Sequence, residues 1–137
     1  MVDTNVLVGA LISSSGHNRY VLRACFEEQV QPVIGEALFL EYEDLLSRSE
    51  LYQNSPLSPI ERTKLFEAFL SICKWTRIYY QWRPNLRDEG NNHVIELAVA
   101  AGANRIITNN VRDFLGANLR FPWIKILNPT EFREELQ

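Results

Sequence analysis

The segment VDTNVLV, residues 2–8, contains three consecutive polar side chains within an apolar run. The flanking valines and Leu7 are typical of a buried strand, yet Asp3, Thr4 and Asn5 interrupt it. Because a buried polar group without a hydrogen-bond partner costs about 1–3 kcal/mol, a purely structural strand does not favour such a trio. Two interpretations follow. Either the strand ends at Asp3 and opens onto a site, or Asp3 caps a turn or helix that begins there.

Apolar runs alternate with segments of helical periodicity along the rest of the chain. Short runs rich in β-branched and aromatic residues predict strands at residues 30–34, 75–80, 105–108 and 123–127. Residues 1–12 begin as a fifth strand, and their later part could already turn into a helix. Apolar residues spaced three or four apart predict helices at about 18–28, 36–49, 58–73, 89–101 and from 129 onward. Within this pattern, Ser58-Pro59-Ile60-Glu61 is typical of a capping box at a helix start. The alternation predicts an α/β fold, with a central parallel sheet of about five strands flanked by helices.

The two ends of the chain bear on the domain organisation. Only Met1 and Val2 precede Asp3, which is short for a strand, so we expect the first strand to be truncated at the N-terminus. No linker, internal repeat or low-complexity segment interrupts the remainder. The sequence therefore predicts a single domain over residues 1–137.

Composition is that of an ordinary globular protein, with 137 residues, 46% of them hydrophobic and 23% charged. A net charge of −3 argues against a protein that coats nucleic acid by bulk charge, although it is compatible with a local basic patch. Cys25 and Cys73 form no CxxC motif, which indicates reduced thiols rather than a zinc site. Because no apolar run reaches the roughly 18 residues of a membrane span and no signal segment is evident, we expect a cytoplasmic protein without a membrane partner.

Acidic and amide side chains occur where a parallel sheet usually binds its ligands, beyond the carboxyl ends of the strands. Asp3 lies where the first predicted strand ends, and Thr108 is the last residue of the predicted strand at 105–108. Glu41 borders the apolar stripe of the predicted helix at 36–49. A carboxylate beside a core face is unfavourable unless its charged end reaches solvent or it meets a cation. Glu41 therefore extends to solvent, pairs with an arginine, or shares a cation with a second acid such as Asp3.

Two further segments contribute polar groups to the same region. In RDEGNNHVIELAVAAGA, residues 87–103, Asn91 lies on the predicted buried face of a helix, whereas His93 and Glu96 are predicted to point away from it. His93 is interpreted as a surface residue. In ITNNVRDF, residues 107–114, Asn110 and Asp113 are spaced so that both can face one cleft, although such residues are also common turn formers.

The combined set of Asp3, Glu41, Asn91 and Asp113 supplies oxygen donors without any Cys or His. Such donors suit a hard cation such as Mg²⁺ or Mn²⁺. Each member has an ordinary structural explanation when taken alone. Their shared placement at sheet ends and inward helix faces is what favours a metal site.

In order and spacing, VDTNVLV, EYEDLLSR, RDEGNNHVIELAVAAGA and ITNNVRDF resemble the four acidic motifs of PIN domains. The resemblance is strongest to the branch that contains toxin components of bacterial toxin–antitoxin systems, and it covers nearly the whole chain. It implies a PIN-like three-layer α/β sandwich and a Mg²⁺- or Mn²⁺-dependent endoribonuclease. It also implies RNA as substrate, a cytoplasmic location, a homodimer and a cognate antitoxin protein that holds the nuclease inactive.

The resemblance assigns catalytic and metal-ligand roles to Asp3, Glu41, Asn91 and Asp113. Asn91 stands where the family usually has an aspartate, so this ligand is neutral. Charge count is a main determinant of affinity for hard cations. Since losing even a supporting partner of a ligand lowers metal affinity or activity about 10–100-fold, we expect at least that effect here.

The same motifs imply a substrate-binding role for Asn5, Thr108, Asn110 and Arg112. Arg112 would bind the RNA backbone, although a solvated surface charge explains that residue equally well. A second hypothesis for the whole chain is a degenerate PIN domain that binds RNA or a protein partner without cleavage. Asn91 is the feature that favours this second hypothesis.

Overall fold

The structure is a computed structural model, and it describes residues 1–13, 16–77, 92–114 and 121–137. These ranges contain six α-helices: α1 Thr4–Ile12, α2 His17–Phe26, α3 Glu36–Leu46, α4 Pro59–Ile72, α5 Asn92–Ala100 and α6 Pro129–Leu136. They also contain four short strands: β1 Val33–Ile34, β2 Lys74–Trp75, β3 Arg105–Ile107 and β4 Lys125–Leu127. Two 3-10 helices occur in the same ranges, at Ser49–Tyr52 and Val111–Phe114.

The strands pair in parallel, as the alternation of strands and helices predicts. β1 pairs with β2, and β3 pairs with β4 with Ile106 opposite Ile126. The opening segment of the chain lies on the other side of β3, where Val2 forms an isolated parallel bridge with Ile107. The Asp3 amide donates to the Ile107 carbonyl oxygen at 2.9 Å, so Asp3 lies at the carboxyl end of β3.

The prediction of a central sheet of about five strands is wrong for the part of the chain that the structure describes. That part contains two separate sheets of two strands each. The first predicted strand is reduced to a single bridge, because Asp3 caps α1 and the chain becomes helical at Thr4. In the predicted strand 75–80, residues 78–80 lie outside the described ranges. The α/β organisation with parallel pairing is retained.

The helix starts read from local sequence patterns are confirmed. Ser58 and Glu61 form the predicted capping box of α4, in which each side chain accepts a hydrogen bond from the other residue's backbone N–H. Asn128 and Glu131 form a second capping box at the start of α6. Both boxes satisfy amides that have no partner within the first turn of a helix.

The core holds α1 and α3 against the strand ends, and this packing positions the candidate site. Val6 and Ala10 of α1 are completely buried. Tyr42 of α3 is also buried, its ring packs edge-on against Phe69, and its hydroxyl donates to the carbonyl oxygen of Val2. This bond ties α3 to the extended segment immediately before Asp3.

Two further predictions concern the thiols and the membrane. Cys25 and Cys73 are both free cysteines. Burial raises the pKa of the Cys25 thiol to about 11 and that of Cys73 to about 12, so both are protonated at neutral pH. Across the described ranges, none of the helices combines the length and apolar character that crossing a membrane requires.

Candidate active site

Asp3 caps α1, as the second interpretation of the opening motif expects, and it also lies at the end of the first extended segment. Its side chain is 5% exposed, and its Oδ1 accepts a hydrogen bond from the Thr4 amide at 2.9 Å, which caps α1. Its Oδ2 accepts from the Thr108 hydroxyl at 2.7 Å and from the Asn5 amide nitrogen at 3.3 Å. The carboxylate therefore caps a helix and also joins polar groups at the carboxyl end of β3.

The environment of Asp3 opposes its ionisation. Burial raises the pKa of Asp3, and the nearby charge of Glu41 raises it further. The hydrogen bonds that Asp3 accepts from Thr108 and Thr4 lower the pKa, but they do not cancel the effect of burial. A buried acid that is disfavoured in its charged form is typical of functional sites, and it is also the environment that a bound cation would relieve.

Glu41 lies beside Asp3 because Thr4 connects the two acids. The Thr4 hydroxyl donates to Glu41 Oε1 at 2.5 Å, while the Thr4 backbone amide donates to Asp3. The second oxygen, Oε2, lies 2.8 Å from His93 Nε2. The hydrogen bond from His93 is the main cause of a lowered pKa for Glu41, and the bond from Thr4 adds to it against the effect of burial. The two acids thus have pKa values shifted in opposite directions, a pattern common in acid–base sites.

The prediction that His93 and Glu96 point away from the buried face is wrong. The His93 side chain is only 23% exposed and binds Glu41, and Glu96 is 4% exposed. The prediction fails because Leu97 is buried as well, so that α5 is buried around most of its circumference. The four-residue spacing between His93 and Leu97 was the available signal for an inward-facing histidine. Among the described residues, neither His93 Nδ1 nor Glu96 Oε1 has a hydrogen-bond partner.

The turn after β3 completes the network around Asp3. Thr108 is fully buried, and its hydroxyl oxygen accepts from the Asn110 amide at 3.0 Å while donating to Asp3. Asn5 Oδ1 accepts from the Asn109 amide at 3.0 Å. The side chains of Asn5 and Thr108 therefore hold the acid and the turn in place.

The remaining predicted site residues fall in three places. Asn110 and Arg112 are exposed. Asp113 is half-buried in the 3-10 helix Val111–Phe114, where its amide donates to the Asn110 carbonyl oxygen at 2.9 Å. Asn91 lies outside the described residues. The structure thus brings Asp3, Glu41, Asn5, Thr108 and the backbone of Asn110 into one network, and the ligand roles of Asp113 and Asn91 remain predictions.

Comparison with known protein families matches residues 1–112 to the PIN domain. The chain belongs to the PIN domain family. Members of the PIN family are typically nucleases, and they generally depend on divalent metal ions. The matched region includes Asp3, Glu41 and Asn91, and Asp113 lies one residue beyond it. No curated protein and no solved structure matches the chain.

The donor chemistry of this PIN domain fits a divalent cation at Asp3 and Glu41. Carboxylate oxygens are preferred ligands of Mg²⁺ and Mn²⁺, and a cation between the two acids would offset the burial and the repulsion from Glu41 that raise the pKa of Asp3. Over residues 1–13, 16–77, 92–114 and 121–137, no group of three or more His, Cys, Asp or Glu side chains is arranged to hold a metal. A third charged ligand is therefore not preformed within those ranges.

Proposed function

We propose that this PIN domain is a Mg²⁺- or Mn²⁺-dependent endoribonuclease that hydrolyses RNA phosphodiester bonds. The observation that supports it best is the pairing of buried Asp3 with Glu41 through the side chain and backbone of Thr4. Two close carboxylates repel each other, and a divalent cation between them would relieve that repulsion. Membership of a family of nucleases supports the reaction class.

In this proposal Asp3 and Glu41 hold the cation, together with Asp113 and the neutral side chain of Asn91. When bound, Mg²⁺ or Mn²⁺ supplies the means to activate water and to stabilise charge on the phosphate. Neighbouring side chains orient the carboxylates that would bind the cation. Thr108 and Asn5 fix the Asp3 carboxylate, as described above, and such supporting bonds commonly control ligand geometry.

His93 and Thr4 occupy both oxygens of Glu41, one each. Because they hydrogen-bond the charged form, Glu41 stays ionised at neutral pH and its carboxylate has a defined orientation. Each oxygen retains a second lone pair for a cation. We therefore assign His93 and Thr4 as positioning residues for Glu41.

The test is cleavage of a mixed-sequence RNA by the full chain with Mn²⁺, with Mg²⁺ and with excess EDTA. We expect cleavage with either metal, none with EDTA, and at least a hundredfold loss in Asp3→Asn and Glu41→Gln. Glu43→Gln is the matched control, because Glu43 is an exposed acid on the same helix as Glu41. Cleavage that survives both acid substitutions would contradict the proposal.

A second candidate function is binding of RNA or a protein partner without cleavage. It is favoured by Asn91 at an acidic-motif position and by the lack of a preformed three-ligand group in the described ranges. Asn91→Asp separates the two functions. If the native chain binds RNA but does not cut it with Mn²⁺, while Asn91→Asp does cut, the binding function is the correct one.

We further propose that the chain is the toxin of a toxin–antitoxin pair, acts in the cytoplasm and forms a homodimer. These proposals rest on the motif resemblance given above. Expression in a bacterial host should arrest growth, and coexpression of a cognate antitoxin, sought as a small open reading frame next to the gene, should restore it. Growth arrest that Asp3→Asn does not abolish would contradict the toxin role, and light scattering of the purified chain tests the dimer.

A further inference from the structure

The turn that follows β3 is exposed, yet two helices hold its central residue. The backbone amide of Asn109 donates to Asn5 Oδ1 of α1 at 3.0 Å. The side chain of Asn109 donates through Nδ2 to Asn18 Oδ1 of α2, also at 3.0 Å. Residues 109 and 18 are 91 positions apart, so this contact is a tertiary one rather than a local turn.

The position of Asn18 depends on a glycine in the neighbouring helix. A Cβ atom added at Gly9 of α1 would lie 2.3 Å from Asn18 Nδ2 and 2.8 Å from Asn18 Cγ. Glycine is unfavourable in a helix interior, where it loses more conformational freedom on folding than alanine does. The contact gives a physical reason for Gly9: the missing side chain leaves the volume that the Asn18 amide occupies.

The Asn109 contact restrains residues on both sides of it. Thr108, immediately before, donates to Asp3, and the Asn110 amide, immediately after, donates to the Thr108 hydroxyl oxygen. The turn then enters the 3-10 helix that carries Asp113 and ends at the fully buried Phe114. Phe114 therefore anchors the far end of the segment, and the Asn109 side chain anchors its near end on α2.

We propose that Asn18 is a positioning residue that holds the turn after β3, which leads into the 3-10 helix carrying Asp113, against α1 and α2. Gly9 makes this possible by leaving room for the Asn18 amide. The consequence for metal binding rests on the proposed function, since it assumes that Asp113 ligates the cation. The structural part does not: Asn18 restrains the turn whether or not a metal binds.

The first experiment measures hydrogen exchange of the Asn109 backbone amide in metal-free protein. We expect Asn18→Ala and Gly9→Ala each to accelerate exchange by about tenfold or more, since the turn then opens locally at lower free energy. Asn18→Asp keeps the acceptor oxygen and should retain slow exchange. Asn54→Ala is the matched control, because Asn54 is an exposed asparagine in a different loop. Equal exchange in the native chain and Asn18→Ala would overturn the proposal.

The second experiment is a double-mutant cycle on the dissociation constant for Mn²⁺. Asn18→Ala and Asn109→Ala should each weaken binding about tenfold, in the range seen for supporting partners of metal ligands. Because both remove the same bond, the double variant should bind no more weakly than either single variant. Additive losses would overturn the proposal.

The two proposals fail differently. If Asp3→Asn leaves Mn²⁺ affinity unchanged, the proposed metal site is wrong, and the exchange experiment still decides the role of Asn18. If Asp3→Asn abolishes binding while Asn18→Ala neither weakens binding nor accelerates exchange at Asn109, the positioning role alone is overturned.

Discussion

Replacing Thr108 with valine should destabilise the protein through Asp3. Thr108 is fully buried, and its hydroxyl donates to Asp3 Oδ2 at 2.7 Å. Valine has a similar shape but no hydroxyl, so it leaves a buried carboxylate oxygen without its closest donor. A hydrogen bond to a charged group contributes about 1.5–3 kcal/mol, and we expect the free energy of unfolding to fall by that amount. The Asn110 amide also loses its acceptor, but Asn110 is exposed and water can replace it.

The assay is urea unfolding followed by far-ultraviolet circular dichroism in EDTA, in the native chain and in Asp3→Asn. With an uncharged partner at residue 3 the bond contributes only about 0.5–1.5 kcal/mol, so Thr108→Val should have a smaller effect in that background. Thr63→Val is the control, because the Thr63 hydroxyl donates to a backbone carbonyl on the exposed face of α4. We expect the control to change stability by no more than about 0.5 kcal/mol.

The pH dependence of this effect has a definite sign. Thr108 lowers the pKa of Asp3, so Thr108→Val raises a pKa that burial has already raised above 3.8. An acid whose pKa is higher in the folded than in the unfolded state destabilises the fold once it ionises. The loss of stability should therefore grow as the pH rises through the pKa of Asp3 in the folded protein. An effect of the same size at every pH and in both backgrounds would refute this reasoning.

Three further substitutions test other parts of the site and core. His93→Gln should raise the pKa of Glu41 and weaken Mn²⁺ binding, measured by calorimetry, about 10–100-fold. His17→Gln is the control because His17 is exposed, and an unchanged affinity in His93→Gln would exclude the positioning role of His93. The pKa of Glu41 is lowered from 4.5 in the folded protein, so Glu41 should contribute stability above pH 4.5 that is lost as the pH falls through the folded pKa. In Glu41→Gln, the midpoint of urea unfolding should vary less with pH over that range. Phe69→Ala removes a fully buried ring that packs on Tyr42. It should lower the free energy of unfolding, measured by urea titration, by about 3–5 kcal/mol, and a loss under about 1 kcal/mol would mean that the core is packed differently.

Features that depend on a few neighbouring residues were readable from the sequence. The capping box of Ser58 and Glu61 needs only a hydroxyl, a carboxylate and a spacing of three. Parallel pairing followed from the alternation of strands and helices. Asp3 was also located correctly at a strand end, although its two interpretations looked exclusive. A single carboxylate has two oxygens, and here one caps the helix while the other accepts from Thr108.

Features that depend on distant residues or on strand length were not readable. The hydrogen bond between Glu41 and His93 joins positions 52 apart, and no local pattern predicts it. The length of the first strand was not readable, because an apolar run does not show where a helix cap ends it. Val6 and Leu7 continue the apolar run that contains Val2 but lie in α1. The orientation of His93 and Glu96 in α5 was wrongly predicted for a related reason. A helix that is buried on most sides has no single apolar stripe that tells which of its polar residues face solvent.

The opposite pKa shifts of the two acids also bear on the consequence of a neutral side chain at residue 91, if Asn91 ligates the cation as proposed above. Glu41 keeps its charge without a metal, because His93 and Thr4 hydrogen-bond its ionised form. Asp3 is the acid whose ionisation burial and Glu41 both oppose, so cation binding and loss of the Asp3 proton favour one another. In the proposed metal site, a further carboxylate at residue 91 would strengthen the attraction for a cation but would also raise the pKa of Asp3 in its absence. An uncharged amide there weakens the first effect and avoids the second, so in Asn91→Asp the gain in Mn²⁺ affinity should increase as the pH rises and Asp3 ionises more readily.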